Sequence, residues 1–198
     1  PMLIWLTNDN FVSSVFIGSF IIVAFGLIDD IKVLSAKQKI LPQIAAALVV
    51  IFLGGVRINC FGDLFPSGCI LPDYIAIPFT LFVILGVTNA INLADGLDGL
   101  AGGISMLSFL LIALLAYQSG NHQIAVIAVA MIGGIAGFLR YNTHPAILFM
   151  GDAGSQLLGF LSVVLAIVLT QSNTPYSKVL ALPIIGFPIL DTLAVMIE

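Results

Sequence analysis

Charge is what this sequence has least of: Asp, Glu, Lys and Arg together make up 8% of it, where a soluble domain carries about a quarter. An ordinary water-soluble globular domain is excluded on that ground. Histidine and cysteine are equally scarce, two of each. The pattern offers no Cys/His cluster for zinc, and two cysteines are too few for a disulfide framework. Cys60 and Cys69 leave a single disulfide and two free thiols equally open. The opening Pro1-Met-Leu-Ile-Trp5 lacks the basic flank of a secretory signal. No soluble domain, tail or low-complexity segment stands out, and no nucleic-acid partner is expected of a chain with six Lys and Arg in all.

Apolar residues are what the chain has in excess. At 60% hydrophobic and a mean hydropathy of +1.19 it falls in the membrane class. A crossing helix needs about 20 mainly apolar residues, fewer when it packs against neighbours. Candidate spans fall at 11–28, 40–56, 74–91, 102–117, 123–139, 156–169 and 178–197, the last interrupted by Pro183 and Pro188. Gly133 and Gly137, four apart in the fifth, predict a close approach of two helices. The expected architecture is all-α: a single integral-membrane domain over 1–198, a polytopic bundle of about seven transmembrane helices. Gly62, Pro66, Gly68 and Pro72 give the connection near 57–72 the character of turns or a short hairpin.

Alternation of these spans sorts the polar residues. If the loop with Lys32, Lys37 and Lys39 is cytoplasmic, Arg140 agrees with it while Arg57 and Lys178 lie outside, and the hairpin is outside too. Three polar islands then share the cytoplasmic face: Gly26-Leu-Ile-Asp-Asp30, Asn89-Ala-Ile-Asn-Leu-Ala-Asp-Gly-Leu-Asp-Gly-Leu100 and Phe149-Met-Gly-Asp-Ala-Gly-Ser155. Their shared sidedness does not depend on which face is which.

Each island has a plain structural reading beside a chemical one. Asp29 and Asp30 end a helix, where acids meet the negative end of the dipole, yet three nearby lysines could neutralise them. Asp95 and Asp98 share a face if their segment is helical, whereas the glycines after them argue for a loop, from which Asp98 could cap the next helix. Neither structural reading accounts for Asn89 and Asn92 inside the preceding apolar run; buried amides need partners, and metal or phosphate can provide them. Asp152 or Ser155 could cap the following helix, and a helix N-terminus also favours phosphate. His144 is a lone loop histidine, more often incidental than a ligand. Asp191, inside the last span, is a functional candidate because an acid there is costly, with pairing to a neighbouring helix as the alternative. Carboxylates with so few basic residues cannot take a phosphate-rich substrate without a cation. Asp and Asn oxygens suit Mg²⁺ or Mn²⁺, and metal-assisted phosphoryl transfer at a membrane face follows.

In this order, separated by spans, the three islands resemble the polyprenyl-phosphate N-acetylhexosamine-1-phosphate transferases, of the glycosyltransferase family 4 type. Leu34-Ser-Ala-Lys-Gln-Lys39 and Arg140-Tyr-Asn-Thr-His-Pro-Ala-Ile-Leu-Phe-Met-Gly-Asp152 are most similar to the bacterial undecaprenyl-phosphate GlcNAc-1-phosphate branch rather than the MurNAc-pentapeptide branch. The likeness covers essentially the whole chain. It implies that a lipid phosphate attacks the sugar-bearing phosphorus of a UDP-sugar, releasing UMP and starting a cell-surface polysaccharide such as O-antigen. It also implies a multi-pass protein of the bacterial inner membrane with its site facing the cytoplasm.

By the same resemblance, Asp152 and Asn92 would hold Mg²⁺ and Phe149 would stack on uracil. Asp95 and Asp98 would place the nucleotide, with Asn89 among the substrate contacts, and Lys39 would hold phosphate charge. Asp29, supported by Asp30, would orient or deprotonate the lipid phosphate; that phosphate is already largely ionised near neutral pH, so positioning and charge neutralisation are the alternative. Family members carry further helices before the acid pair and a His-x-His-His loop after the Asp191 helix, so the likeness implies an internal piece of a longer chain. Self-association into a homo-oligomer is left open. The rival readings are an ion-coupled transporter, with carboxylates near the bilayer midplane, and an inactive scaffold.

Overall fold

A computed structural model describes residues 10–32, 34–61, 70–171 and 186. Among them are six helices: α1 (Asn10–Ile31), α2 (Ala36–Phe52), α3 (Asp73–Ala94), α4 (Leu100–Gln118), α5 (His122–Asn142) and α6 (Gly151–Gln171). Five are long and apolar enough to cross a membrane; α2, at 17 residues with Pro42 inside, falls just short of that length. The first six expected spans each coincide with one of these helices. The seventh, with Asp191, Pro183 and Pro188, lies outside the described residues.

The bundle is built around α6. Its apolar window is 83% buried, against at most 50% in any other spanning helix, and it packs on α1, α3 and α4. A helix apolar on every side belongs in the interior, and the run from Leu157 to Leu169 is of that kind. Around it, α1 packs on α2, α2 on α3, and α4 on α5. The outer helices turn Phe16, Phe20, Phe82, Leu107 and Leu114 outward, as a bilayer-facing surface requires.

Glycines set how closely α6 is approached. A Cβ on Gly159 would stand 2.7 Å from Thr88 Cα in α3, and one on Gly26 of α1 would run into the backbone of Ala153. Backbones meet at these two crossings because no side chain keeps them apart. Gly133 and Gly137 do not play the part expected of them. Both are exposed, and no described atom comes within 4 Å of a Cβ placed on either. A spacing of four records which residues share a face, not whether a partner helix covers it.

At the end of the bundle where α2 gives way to α3, the expected hairpin is visible at its two ends. Cys60 and Ile70 form an antiparallel bridge, and Leu71 N–H donates to Asn59 O at 2.7 Å. Gln171, at the last turn of α6, accepts from the Asn59 and Cys60 N–H groups and donates to Cys60 O. Cys69 and its pairing lie outside the described residues. The opposite end gathers the last turns of α1, α3 and α5 and the first turns of α2, α4 and α6, and with them all three polar islands.

Candidate active site

The first island and the connection behind it make one turn. Helix α1 runs on through Asp29 and Asp30 to Ile31, so the pair lies in its last turn rather than beyond it. Leu34 N–H donates to Asp29 Oδ1 at 2.7 Å. Gln38 Oε1 then accepts from both Ser35 N–H and Ser35 Oγ, closing the first turn of α2. The chain is thereby folded back so that Lys39 Nζ returns to Asp29 Oδ2 at 2.5 Å. The Asp29 side chain is only 2% exposed, and a carboxylate so buried needs such a partner. Lys32 and Lys37 remain exposed.

The other two islands meet the first at Asp152. Lys39 Nζ donates to Asp152 Oδ2 at 2.7 Å, and Asn92 Nδ2, from the last turn of α3, donates to Asp152 Oδ1 at 2.7 Å and to Ser155 Oγ at 2.8 Å. Asp30 reaches the same place by another route. Its carboxylate accepts from Asp152 N–H at 2.7 Å and from Ala153 N–H at 3.3 Å, so an acid from α1 caps the N-terminus of α6. Gly151 leaves room for this: its φ is +68°, and a Cβ there would lie 2.8 Å from Asp30 Oδ2. The readings of Asp152 and Ser155 as caps of α6 are therefore overturned. Asp152 turns its side chain to Lys39 and Asn92, and Ser155 Oγ–H bonds back to Gly151 O.

Asp95 and Asp98 lie in the turn between α3 and α4. Asp95 has its carboxyl pushed up to about 6, first by burial and then by the negative charges of Asp152 and Asp30. Asp98 has other partners: Ala146 N–H at 3.2 Å and His144 Nδ1 at 3.0 Å, which hold its carboxyl below the usual carboxylate range. It is not the cap of α4, whose N-cap is Gly99 at φ +74°. Gly99 N–H donates to Asn142 Oδ1, and Asn142 Nδ2 to Leu148 O, so Asp98 and Asn142 together strap the 143–150 connection to this turn. Phe149, on that connection, is 72% exposed.

Asn89 sits one turn deeper. Its Nδ2 donates to Gln43 Oε1 at 2.9 Å and to Leu85 O at 2.7 Å, which occupies both of its donors inside the bundle. Gln43, Gln156 and Asn142 were not singled out from the sequence, and Ser155 only as a helix cap. Gln43 and Gln156 could have been, by the argument that singled out Asn89: an amide inside an apolar run needs a partner.

The donor set suits a divalent cation. Asp29, Asp30, Asp95 and Asp152 gather at this end around the ammonium of Lys39, and Asp95 is shifted upward first by burial and then by the charges of Asp152 and Asp30. Among the described residues no three His, Cys, Asp or Glu side chains come together tightly enough to hold an ion unaided. An ion here would be completed by amide oxygen, water or phosphate, the usual manner of Mg²⁺.

The sequence matches glycosyl transferase family 4 over residues 12–170. It is 39% identical over 93% of its length to a Bacillus subtilis protein described as a probable undecaprenyl-phosphate N-acetylglucosaminyl 1-phosphate transferase, of which it covers 52%. It is 37% identical over its whole length to a phospho-N-acetylmuramoyl-pentapeptide-transferase of a Wolbachia from Drosophila simulans, of which it covers 63%. Over 90% of its length it is 37% identical to the Bacillus licheniformis protein of that same description, covering 57% of it. The chain thus spans between half and two thirds of these relatives. With three separate islands joined at one end of a polytopic membrane bundle, and this match running from α1 to α6, the chain belongs to glycosyl transferase family 4.

Proposed function

We propose that the polar end of the bundle transfers N-acetylhexosamine-1-phosphate from a UDP-sugar to a polyprenyl phosphate. An oxygen of the lipid phosphate attacks the sugar-bearing phosphorus and forms a new P–O bond. The bond from that phosphorus to the bridging oxygen breaks, and UMP leaves with the oxygen and its electron pair. The bond between sugar carbon and phosphate oxygen is untouched, so the anomeric configuration is kept.

The observation that carries this reading is Lys39 held between Asp29 and Asp152, with Asn92 on the second oxygen of Asp152. Such an ammonium, 30% exposed, can serve a phosphate arriving on either side. Asp29 orients the lipid phosphate beside Lys39, Asp30 supports it through the α6 cap, and the exposed ring of Phe149 stacks on uracil. Asp95 and Asp98 place the nucleotide. Asp152 and Asn92 would hold a Mg²⁺ or Mn²⁺ ion, which would supply charge neutralisation of the diphosphate. Ligation through Asn92 Oδ1 requires its amide to turn over, because Nδ2 is the atom facing Asp152.

UMP release from UDP-GlcNAc, with undecaprenyl phosphate and Mg²⁺, tests the proposal. Asp152→Ala is expected to lower turnover at least 100-fold; unchanged turnover removes Asp152 from the site. The similar identities to proteins described as N-acetylglucosaminyl and N-acetylmuramoyl-pentapeptide transferases support two donors, UDP-GlcNAc and UDP-MurNAc-pentapeptide. We take the first, on the motifs around Lys39 and Asp152, and the same assay run with both donors decides.

A further inference from the structure

One helical turn beneath the site lies a second polar layer. Gln43 follows Lys39 by four residues in α2, Gln156 follows Asp152 by four in α6, and Asn89 precedes Asn92 by three in α3. Helices α2 and α6 start at the site end and α3 finishes there, so all three amides lie about 5 Å deeper than the residue above them. They bond to one another. Gln43 Nε2 donates to Asn89 Oδ1 at 3.3 Å and to Gln156 Oε1 at 3.1 Å, and Asn89 Nδ2 returns a bond to Gln43 Oε1 at 2.9 Å. Gln43 and Gln156 are 2% and 4% exposed. Every N–H of the Gln43 and Asn89 amides is thereby used within the bundle.

We infer that Gln43, Asn89 and Gln156 are positioning residues. They form an amide floor that fixes the register of α2, α3 and α6, and so holds Lys39, Asn92 and Asp152 together above it. Apolar packing sets the helix spacing, but side chains that repack can absorb small shifts along the axis at modest cost. A hydrogen bond between buried amides has no substitute partner in such surroundings, so a slip of any one helix leaves polar groups unsatisfied. Gln43 is the centre of the floor, since it alone bonds to both of the others. Asn89 accordingly acts through Gln43 and not on the substrate.

The inference rests on the proposed transferase for its kinetic consequence alone; the placing of Lys39 can be read without any turnover. Gln43→Met keeps the length of the side chain and removes its donors and acceptor. Two measurements are made on the whole protein in detergent: the rate at which an amine-reactive ester modifies Lys39, by peptide mass spectrometry with exposed Lys37 as the internal reference, and UMP release. Lys39 is expected to be modified at least threefold faster relative to Lys37, with kcat at least tenfold lower and KM for the UDP-sugar within twofold. Lys39 modified at the wild-type rate overturns the floor, as does a raised KM at unchanged kcat, which would make the amides substrate contacts. Gln156→Leu removes the oxygen that Gln43 donates to without burying a charge, and is expected to speed modification of Lys39 at least twofold relative to Lys37. That variant decides the matter if Gln43→Met does not fold, and a wild-type rate at Lys39 in a folded Gln156→Leu overturns the inference. A wild-type protein inert towards UDP-sugars would sink the proposed function and leave the labelling result to stand by itself.

Discussion

At neutral pH Asp95 ionises beside two other acids, Asp152 and Asp30, in a half-buried turn, and its carboxyl is pushed up to about 6 from 3.8. The folded protein therefore keeps a proton between those two values that the unfolded chain has released. Stability falls as pH rises through that window, and the penalty is fully present above pH 6. Discounted for the solvent that reaches this turn, the shift amounts to about 1–2 kcal/mol. Asp95→Asn removes the charge and keeps the shape. With a chelator present, the variant is expected to melt above wild type at pH 8 and to lose most of that advantage at pH 4, while its transferase activity falls. An equal gap at both pH values, or a variant less stable than wild type at pH 8, contradicts a carboxyl held up by burial and by its acidic neighbours. A carboxylate kept against its own stability belongs to a site that a cation or substrate completes. Its crowding was beyond reach of the sequence, because Asp30 and Asp152 come to it from helices far away in the chain.

Helix α6 brings these residues together, and its interior position was only half legible beforehand. An apolar run at 156–169 announces a span but not that it is the span every neighbour touches. Its start was read five residues late, at Gln156 instead of Gly151, because the glycines and Asp152 looked like a connection. The source of its cap was out of reach: Asp30 lies 122 residues away. Glycine carried a similar ambiguity. Gly133 and Gly137 had the spacing of a contact and face no described neighbour, while Gly159, with no pattern to mark it, allows the backbone of α3 to touch α6. Those two sites make a matched comparison. Gly159→Leu must separate α3 from α6 and is expected to cost about 1–3 kcal/mol, read as a lower melting temperature in detergent. Activity should fall at least tenfold with it, because α3 carries Asn92 and α6 carries Asp152. Gly137→Leu, the same change on an exposed face, should do neither. Equal melting temperatures for the two variants would mean that α6 is not held by this crossing.

For the molecule as a whole, alternation of apolar runs was enough to bring the three islands to one end, where Lys39, Asn92 and Asp152 now meet. Depth was what alternation could not supply. Asn89 and Asn92 read alike in the sequence, yet one bonds within the floor and the other reaches the site, because a three-residue step along a helix is a full turn of height. Asp98 likewise shared a motif with Asp95 and was drawn to His144 and Ala146 on a connection the motif does not contain. For the side of the membrane that this end faces, charge is the guide. Lys32, Lys37, Lys39 and Arg140 stand at the site end, and among the described residues Arg57 is the basic residue at the other. That bias supports the cytoplasmic side, which we propose for the site. Single cysteines in a Cys60→Ser, Cys69→Ser background test it with a membrane-impermeant maleimide on intact spheroplasts. His122→Cys, at the far end, is expected to react at once, and Lys37→Cys only after the membrane is permeabilised. The reverse order would put the site outside, where neither a nucleotide sugar nor the release of UMP could be supplied, and the proposed reaction would fall with it.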